Sequence, residues 1–464
     1  MFQRGMTPIA ACVLMWIATS SRAAPMEAGS QQLAAAAREA MARAVRYFST
    51  EVAAQGGYLW SYSEDLQQRE GEEPATVSQI WVQPPGTPAV GFAYLRAYEV
   101  TKEPMYLQAA RAAAGALAWG QLACGGWDYR IDFDPAASKQ WYFRRDQEAS
   151  EERQGRRDRA TLDDDTTQSA VRFIMAAAAA TGDDKLHHAA RCGLRFMLES
   201  QFPNGAWPQW YPLAESGYSR WYTFNDAAIN DCIKVMLDAY HAYGDPEYLQ
   251  RARRGGDFII LSQLPAPQAA WAQQYDYDLK PAWARWFEPP AACSAVTARN
   301  INTLMDLYLE TGEDRHLRPI PAAVAWLKRS RLPDGKWARF YELDTDRPIY
   351  VNTKREIVGD FVDVRPGYSW RGDYGAEAAR DRFERLSSLG REAYLAEQRR
   401  APSAAETEAR RRSLAAKAQA VIQAQDERGR WVTDGRIYCQ EFIRNLRTLA
   451  EFVALAAEGG GAEN

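Results

Sequence analysis

Two short acidic stretches, Thr161-Leu162-Asp163-Asp164-Asp165-Thr166-Thr167-Gln168 and Thr223-Phe224-Asn225-Asp226, each open an apolar helical run. A helix N-terminus favours acid, because its first N–H groups lack partners and its dipole is positive there. Capping accounts for one carboxylate or two, and Thr223 offers an alternative cap at the second stretch. It does not account for a packed trio of like charges. A hard cation would relieve the repulsion, and Ca2+ takes oxygen ligands in a flexible geometry. Asp163, Asp164, Asn225 and Asp226 are therefore the candidate metal ligands.

Between the stretches lies Gln201-Phe202-Pro203-Asn204-Gly205-Ala206-Trp207-Pro208-Gln209-Trp210-Tyr211-Pro212. The rings of Trp207 and Trp210 suit the apolar faces of sugars; they equally suit a core. Downstream, Trp283-Ala284-Arg285-Trp286-Phe287-Glu288 is echoed by Trp337-Ala338-Arg339-Phe340-Tyr341-Glu342, and Lys354, Arg355 and Arg365 follow. A planar guanidinium pairs bidentately with a carboxylate. A lone surface arginine is ordinarily an ion pair of small worth; two matching arginine–aromatic segments point to an acidic ligand. The four histidines lie away from these motifs, which disfavours a Ser-His-Asp hydrolase or a His-rich metal site. There is no phosphate loop and no dinucleotide fingerprint.

The elements that must position these residues read as helices. Ala34–Phe48, Tyr106–Leu117, Gln168–Ala179, His188–Glu199, Ala227–Tyr243, Tyr248–Leu261, Ala295–Tyr308, Leu317–Lys328, Arg411–Gln425 and Glu441–Ala457 carry apolar residues at spacings of three and four. Thr181-Gly182-Asp183, Tyr243-Gly244-Asp245 and Thr311-Gly312-Glu313 place glycine where a helix C-terminus turns left-handed. A loose repeat runs through the pattern: Gln121…Gly125-Gly126-Trp127, Gln201…Gly205-Ala206-Trp207, Arg331…Gly335-Lys336-Trp337 and Gly429-Arg430-Trp431, with Gly56-Gly57-Tyr58-Leu59-Trp60 a weaker copy. Repeated helix pairs bury their faces only against neighbours. The expected fold is all-α: an α/α toroid of helical hairpins, with the long stretches Tyr62–Pro85, Ile131–Arg159, Gln263–Cys293 and Leu332–Trp370 gathered at one face as a cleft. The charge run Arg144–Arg159 reads as a solvated loop, and Ala401–Ala420 as helix rather than linker.

The chain as a whole narrows the class. Its 464 residues are 47% hydrophobic with a formal net charge of −4, so no basic surface for nucleic acid is advertised. Arg4, the apolar stretch Pro8 to Ile17 and the site Ser21-Arg22-Ala23 read as an export signal over residues 1–24. No later apolar run is long enough to span a membrane, so a periplasmic or extracellular protein is expected. Cys12 leaves with the signal; Cys124, Cys192, Cys232, Cys293 and Cys439 are widely spaced, which makes buried free thiols the default and a single disulfide the alternative.

In the order of its motifs the chain resembles the family 10 pectate lyases, the pectic acid lyase family. The resemblance runs from Ala160 to Asp373, through 161–168, 201–209, 222–226, 280–288, 338–350 and 367–370. It implies a toroid-like fold, Ca2+, and β-elimination of polygalacturonate or a related acidic polysaccharide. It further implies that Asp163 and Asp226 place Ca2+ against a substrate carboxylate. Arg285 takes the position of the proposed base, Arg339 and Arg365 bind substrate carboxylates, and Lys354 or Arg355 falls near another such position. A domain division follows: hairpins at 25–159, a catalytic core at 160–373, and helices completing the toroid at 374–464, with a monomer as the expected state. Two departures stand out. The family commonly has Asp-Asn where this chain has Asp163-Asp164, and Ala34–Arg159 extends beyond the usual module.

In such a reaction the C5 proton, α to the carboxylate, leaves and the C4 glycosidic oxygen is expelled. Cations around the carboxylate stabilise the enolate-like charge. A guanidine base conflicts with the ordinary arginine pKa above about 12, so either its surroundings depress that value or Arg285 has a positioning role. Rival readings are a type II terpene cyclase, whose Asp-x-Asp-Asp-Thr motif would need an acid at Leu162, a toroidal glycosidase using Glu288 and Asp226, and a non-catalytic glycan-binding protein.

Overall fold

A computed structural model of the chain describes residues 23–459. The export-signal reading of 1–24 therefore lies outside the described residues except for its last two. Fourteen helices are described: α1 (Ala23–Tyr47), α2 (Thr87–Thr101), α3 (Pro104–Trp119), α4 (Arg144–Glu148), α5 (Thr166–Thr181), α6 (Asp184–Glu199), α7 (Ala228–Tyr243), α8 (Pro246–Leu261), α9 (Ser294–Thr311), α10 (Ile320–Arg329), α11 (Ala376–Leu389), α12 (Arg391–Arg399), α13 (Ala404–Gln423) and α14 (Cys439–Gly459). The three glycines expected at helix ends, Gly182, Gly244 and Gly312, are left-handed with φ of 65°, 70° and 71°.

The helices form an α/α toroid. An inner course runs α14–α2–α5–α7–α9–α11, each packing on the next, and α13 packs on α1 so that the C-terminal hairpin meets the N-terminal helix. The inner helices α2, α5, α7 and α9 are buried on most sides, whereas α3, α6 and α8 bury one face. Of these inner helices, α2 escapes a search for helical periodicity where α5, α7 and α9 do not. Thr87-Pro88-Ala89-Val90-Gly91-Phe92-Ala93-Tyr94 is apolar nearly all round, so it shows no stripe.

The repeat in the sequence is the joint of the ring. Its tryptophans plug the core, and each indole N–H donates to a carbonyl in the helix before it: Trp127 to Leu117 at 2.8 Å, Trp207 to Met197 at 2.9 Å, Trp337 to Leu327 at 2.8 Å and Trp431 to Val421 at 2.9 Å. The glutamines staple neighbours. Gln121 donates to the carbonyls of Gly125 in its own turn and Ala189 in α6; Gln201 to Gly205 and Arg251 in α8; Gln425 to Gly429 and Ala40 in α1. The turn glycine is required: Gly125 has φ of 100°, and a Cβ there would sit 2.6 Å from the Cys192 carbonyl oxygen. A further copy, Gln263…Ala269-Ala270-Trp271, lacks the glycine yet makes the same bonds, from Gln263 to Ala269 and Pro319 and from Trp271 to Ile259.

The long stretches are not structureless. They hold short antiparallel pairs that tie the loops together: 79–81 with 130–132, 160–161 with 210–211, 222–223 with 274–275, 337–338 with 371–372, and a four-stranded sheet of 292–293, 340–341, 348–351 and 357–358. The charge run is not the fully solvated loop its composition indicates. Arg156 pairs with the buried Asp146, and the Arg145 guanidinium lies 3.5 Å over the Trp119 ring. The five cysteines among the described residues are free thiols, four of them buried. Among the described residues no helix is long and apolar enough to cross a membrane.

Candidate active site

The two acidic stretches enter adjacent inner helices, α5 and α7, by the same backbone route. Asp164 and Asp165 have φ of 53° and 56°, and Asp226 and Ala227 have φ of 44° and 65°. Two consecutive left-handed residues cost about 1–3 kcal/mol each, the kind of strain that clusters where function demands a geometry. The two mouths correspond residue for residue: Leu162 with Phe224, Asp163 with Asn225, Asp164 with Asp226, and Asp165 with Ala227. Neither mouth carries a side-chain cap; the Thr223 hydroxyl instead donates to the Trp221 carbonyl. The capping explanation of these acids is thereby removed.

The carboxylates converge. One oxygen each of Asp163, Asp164 and Asp226 lies within 4.8 Å of the others. Asp163 Oδ2 accepts from Gln209 Nε2 at 2.6 Å and the Tyr129 hydroxyl at 3.1 Å, while its Oδ1 is buried without a partner. Asn225 Oδ1 is likewise buried and unpartnered. Burial, then repulsion by Asp164 and Asp226, pushes the Asp163 carboxyl up to about 8; burial, then Asp226 and Glu72, pushes Asp164 up to about 7. Orphaned hard oxygens and mutually repelling carboxylates are the donor set that suits Ca2+. Asp165, the third acid of the trio, turns away: both its oxygens accept from Arg172 Nη2 at 2.6 Å.

Opposite stand the arginines. Arg285 Nη2 and Arg339 Nη2 each lie 4.0 Å from an oxygen of Asp226. Arg285 also donates to Glu288, from Nε at 2.8 Å and from Nη2 at 2.6 Å, and the Tyr368 hydroxyl donates to the same carboxylate at 3.0 Å. Glu288 is 1% exposed. Burial works to raise its pKa, but the hydrogen bonds and charge of Arg285 outweigh it and hold Glu288 below its usual value. In turn the Glu288 bond holds the Arg285 guanidinium further into its charged form. Arg365 stacks 3.8 Å over Phe287, and Arg355 lies 5.0 Å over Trp286, an exposed ring of the same loop. Lys354 is exposed, and its ammonium makes no ion pair among the described residues.

Of the two tryptophans read as sugar platforms, Trp207 is corrected. It is fully buried, because it is the hairpin plug, and it has no face to offer a ligand. Trp210 is half-buried beside the site, its ring 5.7 Å from that of Tyr129 and under the Arg159 guanidinium at 5.5 Å.

Sequence reading missed Tyr129, Gln209 and Gln273, and it named Glu288 only as a glycosidase acid, not as the partner of Arg285. The first three share with Arg339 a position two residues beyond a plug tryptophan, at Trp127, Trp207, Trp271 and Trp337. At each, the carbonyl accepts from the residue that enters an inner helix: Val82 N–H to Tyr129 at 2.7 Å, Leu162 to Gln209 at 2.8 Å, Phe224 to Gln273 at 3.0 Å and Ser294 to Arg339 at 3.1 Å. The side chains then meet the site, Tyr129 and Gln209 on Asp163, and Arg339 on Gln273 and Asp226. The repeat itself was the signal: Trp-x-Tyr, Trp-x-Gln, Trp-x-Gln and Trp-x-Arg.

No curated protein matches the chain. Among solved structures it is similar to the Family 10 polysaccharide lyase from Cellvibrio cellulosa, at 21% identity and a TM-score of 0.50 over 64% of this chain and 97% of that one. A mutant of that enzyme in complex with trigalaturonic acid gives 20% identity and a TM-score of 0.50, over 65% of this chain and 98% of that one. These likenesses concern the fold. The family model described as pectic acid lyase matches residues 121–336 and 333–379, more than half the chain and the whole of the cluster just described. The chain belongs to the pectic acid lyase family and is a polysaccharide lyase.

Proposed function

We propose that the protein is an exported enzyme that cleaves polygalacturonate, or a related uronic-acid polymer, by Ca2+-assisted β-elimination. The observation that carries this reading is the position of Asp226, which shares a carboxylate cluster with Asp163 and Asp164 and stands 4.0 Å from both Arg285 and Arg339. Carboxylates for a cation and guanidiniums for a uronate thus form one surface.

Asp163, Asp164, Asn225 and Asp226 would hold Ca2+. Bound there, the ion would supply positive charge to the carboxylate of the sugar undergoing elimination, which acidifies C5–H. Arg339, largely buried and charged, pairs with a uronate carboxylate, and Arg365 with a neighbouring one; Arg355 and Lys354 lie farther out on the same wall. Trp210 presents its ring to a sugar face. The C5 proton passes to a base at that carbon, a solvent water or hydroxide where Arg285 stays charged; the C5–H electron pair forms the C4–C5 double bond and the C4–O bond breaks, the leaving oxygen taking a proton from solvent.

For Arg285 the geometry favours a second role over that of base. Accepting the C5 proton requires a neutral guanidine, and two hydrogen bonds to a buried carboxylate oppose that. A charged Arg285 instead stabilises the carboxylate as negative charge builds on it. The test of the activity is direct: incubate the protein with polygalacturonate and Ca2+ and follow the absorbance of the unsaturated uronate. No rise with any uronate polymer overturns the lyase reading of this site, and new reducing ends without that absorbance indicate hydrolysis. Signal-sequence processing, checked by N-terminal sequencing of exported protein, tests the exported location.

A further inference from the structure

The hydrogen-bond repeat that sets the site has one more member. Cys439, the first residue of α14, donates its N–H to the carbonyl of Trp60 at 2.9 Å, as Val82, Leu162, Phe224 and Ser294 do to Tyr129, Gln209, Gln273 and Arg339. Trp60 stands two residues beyond Tyr58, and Tyr58 occupies the plug position. The Tyr58 N–H donates to Thr87 Oγ1 at 2.9 Å, matching Trp127 to Thr167 at 3.1 Å and Trp271 to Thr297 at 3.2 Å. The turn before it is also conserved in form, with Gly56 at φ of 90°. Trp60 is therefore the ring's counterpart of Tyr129, Gln209, Gln273 and Arg339.

It also lies next to the wall of the site. Strand 79–81 pairs with strand 130–132, so that Trp81 is opposite Arg130, the residue after Tyr129. The rings of Trp60 and Trp81 meet edge to face at 6.2 Å, and the Trp60 indole N–H donates to the Gln83 carbonyl at 3.0 Å. Those two contacts fix the ring, while Trp60 stays only half-buried, unlike its fully buried neighbour. In the adjacent loop, Glu73 pairs with Arg130 at 3.6 Å. All of this wall except Tyr129 and Arg130 comes from residues before 121, outside the family match.

We propose that Trp60 is a sugar-stacking residue of a distal subsite, contributed by the N-terminal hairpin, which extends the cleft past Tyr129 and favours long polymers over short ones. The inference rests on the uronate-polymer reading above. A fixed, half-exposed indole gives a flat apolar platform at low entropic cost, and a sugar there needs no carboxylate partner.

The experiment measures KM and kcat on short and long oligogalacturonates. Trp60→Leu keeps packing against Trp81 but removes the aromatic face; it should raise KM for long oligomers about tenfold, more than for short ones, with kcat less affected. Trp60→Tyr should restore most of the loss. An equal effect at all lengths, or none, overturns the proposal. If Trp60→Leu fails to fold, oxidative footprinting of the Arg285→Ala protein decides: a long oligomer should slow oxidation of Trp60 along with Trp210. Protection of Trp210 alone overturns the subsite while leaving the lyase reading intact, whereas absence of unsaturated product from the native enzyme condemns that reading instead.

Discussion

Glu288, 1% exposed, grips the guanidinium of Arg285 through two hydrogen bonds of 2.6 and 2.8 Å. A buried carboxylate so paired fixes both the charge and the direction of its partner. If Arg285 acts as a cation, Glu288→Gln should lower kcat/KM by roughly 10- to 100-fold, because orientation is lost while charge remains. Arg285→Lys should retain more activity than Arg285→Ala. Initial rates of unsaturated product, with circular dichroism to confirm folding, check both. A gain in rate in Glu288→Gln would speak instead for a guanidine that must shed its proton.

The carboxylate cluster makes a binding prediction that does not depend on turnover. Asp226→Asn and Asp163→Asn each remove one charge from a site whose oxygens lie within 4.8 Å. Calorimetric titration with Ca2+ should show affinity falling by about tenfold or more in either variant, in line with the dependence of such sites on ligand charge. Asp165→Asn should have a smaller effect, since Asp165 is committed to Arg172. Chelation should abolish activity in the native protein and added Ca2+ restore it.

The same cluster sets a pH dependence for the metal-free protein. Asp163 and Asp164 titrate higher in the folded chain than the ordinary carboxylate value of 3.8, at about 8 and about 7. The folded state therefore binds their protons more tightly than the unfolded one. Their contribution to stability is fully present below pH 3.8 and is lost as pH rises through about 7 to 8. Asp231, pushed up to about 7 chiefly by burial, acts in the same direction. The melting temperature of chelated protein should fall from pH 5.5 to pH 8.5, and Ca2+ should restore it most at the upper end. A chelated protein that gains stability over that interval would contradict the assignment.

Much of this arrangement was legible because the toroid repeats. Helices with one buried face, such as α6 and α8, announce themselves through spacing, and the turn glycines mark the ends of α5, α7 and α9. The acids and arginines could be named because charge in an apolar context has few uses. Two kinds of feature were hidden. The inner helix α2 is buried on most sides and so lacks a stripe, and the sequence offers Glu288 only as a glycosidase acid, because its hold on Arg285 depends on a closed turn between residues 3 apart. Trp207 misled for a related reason: composition says that a ring is present, whereas only packing says which way it faces. The residue that matters there is Gln209, one strand step away, visible only once the copies of the repeat are aligned on their plugs.

That distinction between plug and platform separates two neighbouring tryptophans experimentally. Trp207 is fully enclosed, with its indole N–H bonded to Met197 at 2.9 Å. Trp207→Ala should therefore cost about 3–5 kcal/mol of stability through cavity formation and a lost hydrogen bond. Trp207→Phe should recover part of that by filling the volume. Trp210 is half-buried, with Tyr129 edge to face against it and Arg159 over its ring. Trp210→Ala should cost far less stability and raise KM for polygalacturonate by several-fold, with little change in kcat. Denaturant unfolding and steady-state kinetics on the two variants would show the crossed pattern; a Trp210→Ala protein as unstable as Trp207→Ala, with KM unchanged, would place both rings in the core.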